Sequence, residues 1–403
     1  MKLTLINPPS HYLENDAAYP PSGLLYIAGK AEELGHSAEI IDLTGRSDWV
    51  SGLSHVEQSD LFGITCVTPN VPTVLRIMDM LPEETPVMIG GPHPTALPYD
   101  TITRAQRDHT IVLGEAETIL EQILKDVEKD SIKQFYYGGD APVESIPMPA
   151  RHLVNLHRYK PGGQAATPVY LSRGCPYRCR FCSNMSRKMR IFSLDRIKRE
   201  LEEVRELGFK TVVFGDDNCI IALNKLGVDN VLEIFKDVGI SFRINQDARH
   251  YSRELFEKYV EAGCTDISFG IESGSQDILN AMNKQITVEQ NAEAINLAQV
   301  AGLRVRAYFV VNFPGETQQS VDETIRFIEE HTPDSALLSS FAPLPGSYVF
   351  DHPWEYGITY MSPDWSDYFL VGKGGEFKPC YATEDLSFEQ QINYHRQIKE
   401  VIS

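Results

Sequence analysis

Residues 173–184 read R-G-C-P-Y-R-C-R-F-C-S-N, and Cys175, Cys179 and Cys182 all fall within them. The spacing is C-x3-C-x2-C. Zinc knuckles pair cysteines as C-x2-C and close with a fourth Cys or His. No fourth ligand lies near this stretch. Iron–sulfur clusters are held by thiolates, normally one per iron. Three thiolates on a four-iron cube leave one iron with an open coordination position, where a substrate can bind.

The residues around and beyond the cysteines set the fold. V-Y-L-S-R-G-C opens a series of strand-like runs: T-V-V-F-G-D-D-N, S-F-R-I-N-Q-D, D-I-S-F-G-I-E-S-G, R-V-R-A-Y-F-V-V-N and residues 335–342. Helical stretches such as L-D-R-I-K-R-E-L-E-E-V-R-E-L-G and V-E-Q-N-A-E-A-I-N-L-A-Q-V-A-G separate them. Strands alternating with helices predict a parallel, barrel-like β/α unit of six strands over 169–345. Sites of such units sit at the carboxyl ends of the strands, and the cysteines come right after the first one.

The preceding residues alternate in the same way. K-L-T-L-I-N, S-A-E-I-I-D-L, D-L-F-G-I-T-C-V-T, P-V-M-I-G-G and H-T-I-V-L-G read as strands, with helices between them. A doubly wound parallel sheet over 1–140 is expected, with its ligand at the carboxyl strand ends. Those ends carry Asn7, Pro8 and Pro9; Thr65, Cys66, Val67 and Thr68; Gly90, Gly91, Pro92 and His93; and Gly114, Glu115 and Glu117. Residues 141–168 are rich in Pro and Gly and read as a linker. Residues 346–403 hold two tryptophans, several tyrosines and a polar helix near 387–401, and read as a cap. The expected fold class is therefore α/β: a doubly wound sheet, a partial (β/α)6 barrel and a small C-terminal cap.

A net charge of −19 disfavours general nucleic-acid binding. The basic island is Arg173, Arg178, Arg180, Arg187, Lys188 and Arg190, around the cysteines. No window approaches the ~18 apolar residues of a membrane span, and the N-terminus lacks signal-peptide features. A cytoplasmic location is the expectation. Seven cysteines without an export signal argue against a disulfide framework. Cys66, Cys219 and Cys264 read as buried. Cys380, in the cap, reads as structural, with a hydrogen-donor role as the alternative.

The motif C-P-Y-R-C-R-F-C, with an aromatic before the last cysteine, resembles the radical S-adenosylmethionine (SAM) superfamily. F-G-D-D-N at 214–218, G-I-E-S-G-S at 270–275 and V-V-N-F-P-G-E-T at 310–317 fall where that family carries further motifs. The resemblance implies a 4Fe–4S cluster on Cys175, Cys179 and Cys182, with SAM on the fourth iron. The reduced cluster then cleaves SAM to a 5′-deoxyadenosyl radical. It also implies SAM contacts by Phe181, Gly215, Asp216, Asp217, Asn245, Asp247, Glu272, Ser273, Val310 and Val311.

I-N-P-P, G-L-L-Y-I-A-x3-E-E-L-G-H, I-G-G-P-H and L-G-E-A-E-T-I-L resemble the domain of the cobalamin-binding branch of that superfamily. That implies cobalamin at the strand ends named above. The D-x-H-x-x-G motif, whose histidine ligates cobalt, is absent from the chain. His93 is expected as a pocket residue rather than a cobalt ligand. The resemblance implies methylation of an unactivated carbon or phosphorus of a small molecule through methylcobalamin. Cyclisation, ring contraction or oxidation stands as the alternative, and a non-catalytic cobalamin carrier or sensor as one of another class. An external electron donor of flavodoxin or ferredoxin type, no nucleic-acid or membrane partner, and a monomer complete the expectation. The aromatic segment with Trp354, Tyr356, Tyr360, Trp365, Tyr368 and Phe369 is expected to close over the site or to be ordinary core.

Overall fold

A computed structural model describes residues 1–402 apart from 11, 14, 54, 55, 57, 161, 162, 164 and 185, and apart from the side chain of Lys373. The chain forms two compact units, 1–164 with 364–368, and 165–363 with 369–403.

The first unit is built on six strands: β1 (Lys2–Asn7), β2 (Ser37–Asp42), β3 (Leu61–Thr65), β4 (Val87–Gly90), β5 (Thr110–Gly114) and β6 (Phe135–Gly139). They order β2-β1-β3-β4-β5-β6, and every pair is parallel. The helices are α1 (Ser22–Glu33), α2 (Val71–Met80), the short α3 (Pro92–Ala96) and α4 (Asp100–Arg104), and α5 (Leu120–Glu128). Apolar runs such as Leu3, Leu5, Leu61 and Val112 are sealed by Leu24, Ala28, Ala31, Leu120 and Ile123 of the helices. Each large side chain buried this way stabilises by about 1.5–3 kcal/mol. The strand order reverses between β1 and β3. Such a switch point opens a crevice at the carboxyl ends of those two strands.

Two features differ from expectation. β6 is an additional strand, whose F-Y-Y-G-G carries too short an alternation to be distinctive. Its Tyr136 is buried and donates to Asp126 at 2.7 Å. Residues 143–158, within the stretch read as a linker, form three short 3-10 turns that pack on the first unit. Ile146, Leu156 and Tyr159 are buried, Ala150 N–H donates to Leu25 O at 2.9 Å, and Tyr159 donates to Asp42. Part of the P-G-G-Q stretch (161, 162 and 164) lies outside the described residues.

The second unit holds another all-parallel sheet in consecutive order. Its strands are β7 (Thr167–Val169), β10 (Thr211–Phe214), β11 (Ser241–Gln246), β12 (Cys264–Glu272), β13 (Arg304–Val311) and β14 (Ser335–Ser340), with a two-residue hairpin of β8 (Ser172–Arg173) and β9 (Arg190–Ile191). The strand expected from Val169 onward is thus split into β7 and β8. The break comes where Asp216 takes Leu171 N–H and the Ser172 hydroxyl. The helices are α6 (Leu194–Glu206), α7 (Cys219–Leu226), α8 (Val228–Val238), α9 (Arg253–Glu261), α10 (Gln276–Ala281), α11 (Val288–Val300) and α12 (Gln318–His331). Ser193, Ser252, Thr287 and Thr317 cap four of them, two as full capping boxes. The core is aromatic, with Phe235 and Phe242 centred 4.6 Å apart and Phe214 beside them. The C-terminal part adds α13 (Tyr348–Asp351), the antiparallel β15 (Ile358–Met361) and β16 (Tyr381–Thr383), and α14 (Phe388–Ile402).

Candidate active site

The cysteine loop runs between β8 and β9. Its start needs a glycine. Gly174 has φ +83°, and a Cβ there would meet Lys188 O at 2.6 Å. Backbone bonds then fix the loop from several sides. Cys175 N–H donates to Ser186 O at 3.1 Å and Cys182 N–H to Cys179 O at 3.2 Å. Arg180 N–H donates to Met282 O at 2.9 Å, and Arg180 O accepts from Val349 N–H at 3.2 Å. Asn283 Nδ2 donates to Arg178 O at 2.8 Å, and Arg187 donates to Tyr177 O at 2.7 Å. Asn184 N–H points at Cys182 Sγ, 3.4 Å away.

All three thiols are free and half-buried. Burial pushes the Cys179 thiol up to about 11, against the pull of the Lys284 ammonium. Among the described residues no trio of His, Cys, Asp or Glu converges as the ligands of a single ion would. Three separated thiolates suit a cube better, because each then holds a different iron. The donor set thus fits a cluster with one iron left open.

Of the residues predicted around SAM, Phe181 lies in the cysteine loop and the others stand at the carboxyl ends of β10 to β13, in differing states. Gly215 is exposed, and a Cβ on it would meet the Tyr170 ring at 2.5 Å. Asp217 is exposed and accepts from Asn184 Nδ2 at 2.6 Å. Asp216 is buried, with both oxygens engaged by β8 and the residue before it, and burial raises it to about 7. It braces the cysteine loop's entrance. Asn245 donates to Phe214 O at 3.1 Å, tying β11 to β10. Asp247 forks onto Arg249 with two bonds of 2.7 Å. Ser273 is buried and sits 3.2 Å from the Thr324 hydroxyl. Glu272, at φ +65°, is paired with Lys284 at 2.6 Å. Phe181 and Val310 are half-buried, while Val311 is buried.

Four neighbours of the cluster loop escaped the sequence reading. Tyr177, between the first two cysteines, places its hydroxyl 3.0 Å from His250 Nε2. The Arg249 guanidinium lies 3.5 Å from the Tyr177 ring centre. Lys284 has no local signal at all, because its partner lies one strand-end away in space. Tyr177 could have been singled out from its place inside the motif.

In the first unit the switch-point loops meet. Asn70 Nδ2 donates to Ser10 Oγ at 3.1 Å, joining the chain after Pro8 and Pro9 to the chain after Thr68. Asn7 donates to Asp42 at 2.9 Å. Thr65 and Val67 are half-buried, and Cys66 and Thr68 are buried. Gly91 has φ +113°, and a Cβ on it would lie 2.8 Å from Cys66 O, so the β3 and β4 ends approach closely only through a glycine. A Cβ on Gly90 would make only ordinary contacts with Val112, Pro92 is exposed, and Gly114 is exposed at φ +74°. Glu115 accepts from Ala141 N–H at 2.7 Å and Glu117 is buried. His93 is fully buried. Its Nδ1 is 3.3 Å from the Thr68 hydroxyl and its Nε2 3.2 Å from Asp100. With Nε2–H donating to a carboxylate, Nδ1 is the acceptor for Thr68, and neither nitrogen is left for a metal. The glycine-lined strand ends would suit a flat ligand held against close backbone, and His93 has both ring nitrogens engaged.

Comparison with known proteins agrees with both halves. Residues 169–328 match the radical SAM superfamily, and residues 16–124 match the B12 binding domain. An uncharacterised methyltransferase of Pyrococcus horikoshii is 29% identical over 92% of this chain and 87% of its own. The anaerobic magnesium-protoporphyrin IX monomethyl ester cyclase of Cereibacter sphaeroides is 26% identical over 87% of this chain and 63% of its own. The structure of the radical S-adenosylmethionine methyltransferase TsrM from Kitasatospora setae, with cobalamin and a [4Fe-4S] cluster bound, superposes with a TM-score of 0.74 at 14% identity. It covers 100% of this chain and 89% of that one. A cysteine triplet on a clamped loop, a six-strand parallel sheet behind it and a switch-point sheet before it therefore have one common explanation: the chain belongs to the radical SAM superfamily, in the branch that carries a B12-binding domain.

Proposed function

We propose that this radical SAM enzyme is a cobalamin-dependent methyltransferase acting on a small molecule. The observation that carries the reading is the cysteine loop: three free thiols, no metal-binding trio with a further donor among the described residues, and the loop clamped at residues 175, 178, 180 and 182. When bound, the cluster would supply an electron for SAM cleavage, and cobalamin the methyl carrier.

The chain's own part is binding and orientation. Cys175, Cys179 and Cys182 would hold the cluster, with Asn184 N–H donating to the Cys182 sulfur. Phe181, Gly215, Asp217, Glu272, Val310 and Val311 are the proposed SAM contacts, with Asn245, Asp247 and Ser273 shaping the wall they stand on. Asp216 acts by holding Leu171 and Ser172 in place. The loops at Asn7–Pro9, Thr65–Thr68, Gly90–His93 and Gly114–Glu117 would cradle cobalamin. Holding reacting groups in place lowers the entropy of the encounter, while the difficult chemistry belongs to the cofactors. A low-potential flavodoxin or ferredoxin would deliver electrons, and the protein would work as a monomer in the cytoplasm. Among the described residues no helix is long and apolar enough to cross a membrane.

A second reading, oxidative ring closure without methyl transfer, is supported by similarity to the cyclase. The test is anaerobic reconstitution with iron, sulfide, hydroxocobalamin and SAM carrying a labelled methyl group. 5′-Deoxyadenosine together with label on an added acceptor supports the methyltransferase. 5′-Deoxyadenosine with an unlabelled, oxidised product supports the cyclase. No 5′-deoxyadenosine from a fully loaded protein would sink both.

A further inference from the structure

Cys179 is framed from both sides. The residues on either side of it are tied to one short segment, Arg180 N–H to Met282 O and Arg178 O to the Asn283 side chain. That segment is the turn after α10. Asn283 and Gln285 both hold left-handed backbone, at φ +53° and +57°. Non-glycine residues there cost roughly 1 kcal/mol each, so the surroundings impose the turn. Between them, Lys284 turns inward. Its side chain is 8% exposed and its ammonium sits 2.6 Å from Glu272 Oε1. Room has been cleared for this pair: a Cβ on Gly270 would lie 2.5 Å from Glu272 Oε1 and 3.0 Å from Lys284 Nζ.

A buried ion pair is weak evidence for stability, because desolvation offsets its attraction. Its placement therefore suggests an electrostatic task. Burial alone would lower the Lys284 pKa, yet Glu272 and Asp247 hold it raised and the ammonium charged. The turn that carries Lys284 is bonded to both residues flanking Cys179. A charge fixed in a poorly screened place acts strongly on any neighbour that gains an electron.

We propose that Lys284 is a positioning residue for the iron–sulfur cluster, and that its ammonium, locked on Glu272 beside Cys179, raises the cluster's reduction potential. The inference rests on the cluster assigned above to Cys175, Cys179 and Cys182. Favouring the reduced state in this way would make electron acceptance easier before SAM is cleaved.

The test uses the full chain, reconstituted anaerobically with iron and sulfide, without SAM. Iron per chain is measured first, then the cluster is titrated with dithionite and followed by electron paramagnetic resonance. Lys284→Met should retain the cluster. Its reduced-to-oxidised ratio at the wild-type midpoint should fall about tenfold, a shift of ~59 mV for one electron. Glu272→Gln, which removes the carboxylate paired with the cation and leaves Asp247 in place, should shift the midpoint the other way, and Lys284→Arg should stay near wild type. A fully loaded Lys284→Met protein with the wild-type midpoint overturns the proposal, even if SAM binding is weakened. Should Lys284→Met assemble no cluster, a Glu272→Gln protein without a positive shift overturns it instead. Wild-type protein that takes up no iron would reject the cluster assignment itself, a separate failure.

Discussion

His93 Nε2 lies 3.2 Å from Asp100 Oδ2, and the same carboxylate oxygen accepts the Trp365 indole N–H at 2.9 Å. The Trp365 ring stands edge-on to the imidazole at 5.2 Å, and Arg104 lies over it. Burial would raise Asp100, but hydrogen bonds from His93 and Arg104 hold it below the usual carboxylate range. His93 is thus a strut, fixed by Thr68 and Asp100.

A strut leaves a spectroscopic mark. Cob(II)alamin bound to this protein should show no nitrogen hyperfine splitting from a protein imidazole, and His93→Phe should leave the cobalt spectrum unchanged. The same variant should lower Tm, because it leaves Asp100 and Thr68 each short of a partner, about 1–3 kcal/mol. Trp365→Phe should cost about 1.5 kcal/mol through the lost bond to a charged acceptor. A splitting present in wild type and absent in His93→Phe would show that His93 does ligate cobalt.

Cysteine substitutions should divide into two classes. Cys175→Ala, Cys179→Ala and Cys182→Ala should each abolish stable uptake of about four irons per chain. Cys66→Ala, Cys219→Ala and Cys264→Ala should load normally. Those three are buried, and burial pushes their thiols up, so they behave as small apolar groups. Iron and sulfide analysis of all six separates the classes.

Two glycines of α1 should respond with opposite sign. A Cβ added to Gly23 would have nothing within 4 Å, so Gly23→Ala should gain up to about 1 kcal/mol from helix propensity. Gly29 would place a Cβ 2.2 Å from the Met148 carbonyl oxygen. Backbone must move there, so Gly29→Ala should lose about 1–3 kcal/mol despite the same propensity. Urea unfolding of both variants reads the difference, and equal effects would contradict the close approach.

Glu316 makes stability depend on pH. It is buried, and burial raises it to about 7 although Ser320 Oγ and Asn312 N–H donate to it. The folded state then holds the proton more tightly than the unfolded chain. Stability from this group is fully present below the unfolded value near 4.5 and is lost as pH rises through about 7. Glu316→Gln, neutral and of similar shape, should remove its share of the fall in Tm between pH 5 and pH 8. Asp216 titrates in the same window, so some slope should remain. An unchanged slope in Glu316→Gln would reject this account.

Much of this architecture was legible because its signals are local. Alternating apolar runs marked most strands of the two parallel sheets directly, and the triplet Cys175, Cys179 and Cys182 needs no partner outside its own loop. β6 escaped because F-Y-Y-G-G offers only three strand-forming residues before two glycines, too short a run to stand out. Residues 143–158 read as a linker because Pro and Gly signal irregular backbone, which does not distinguish packed turns from loose ones. Asp216 and Asp217 are adjacent and chemically identical. Only the third dimension shows one bracing Leu171 and Ser172 and the other exposed beside Asn184. The Lys284–Glu272 and His93–Trp365 relationships are non-local, and no periodicity encodes them.

Residues 364–368 belong to the first unit although almost the whole second unit precedes them in the chain. The polypeptide therefore passes from one unit to the other three times. On the ribosome, the part that begins folding first must wait until residues 165–363 have been made before Trp365 can reach His93 and Asp100. A fragment ending before residue 364 would be an unfinished domain rather than a shorter protein, with the Asp100 carboxylate stripped of its indole cover. The first unit is thus open at one place while most of the second is being made, and it closes only when residues 364–368 emerge.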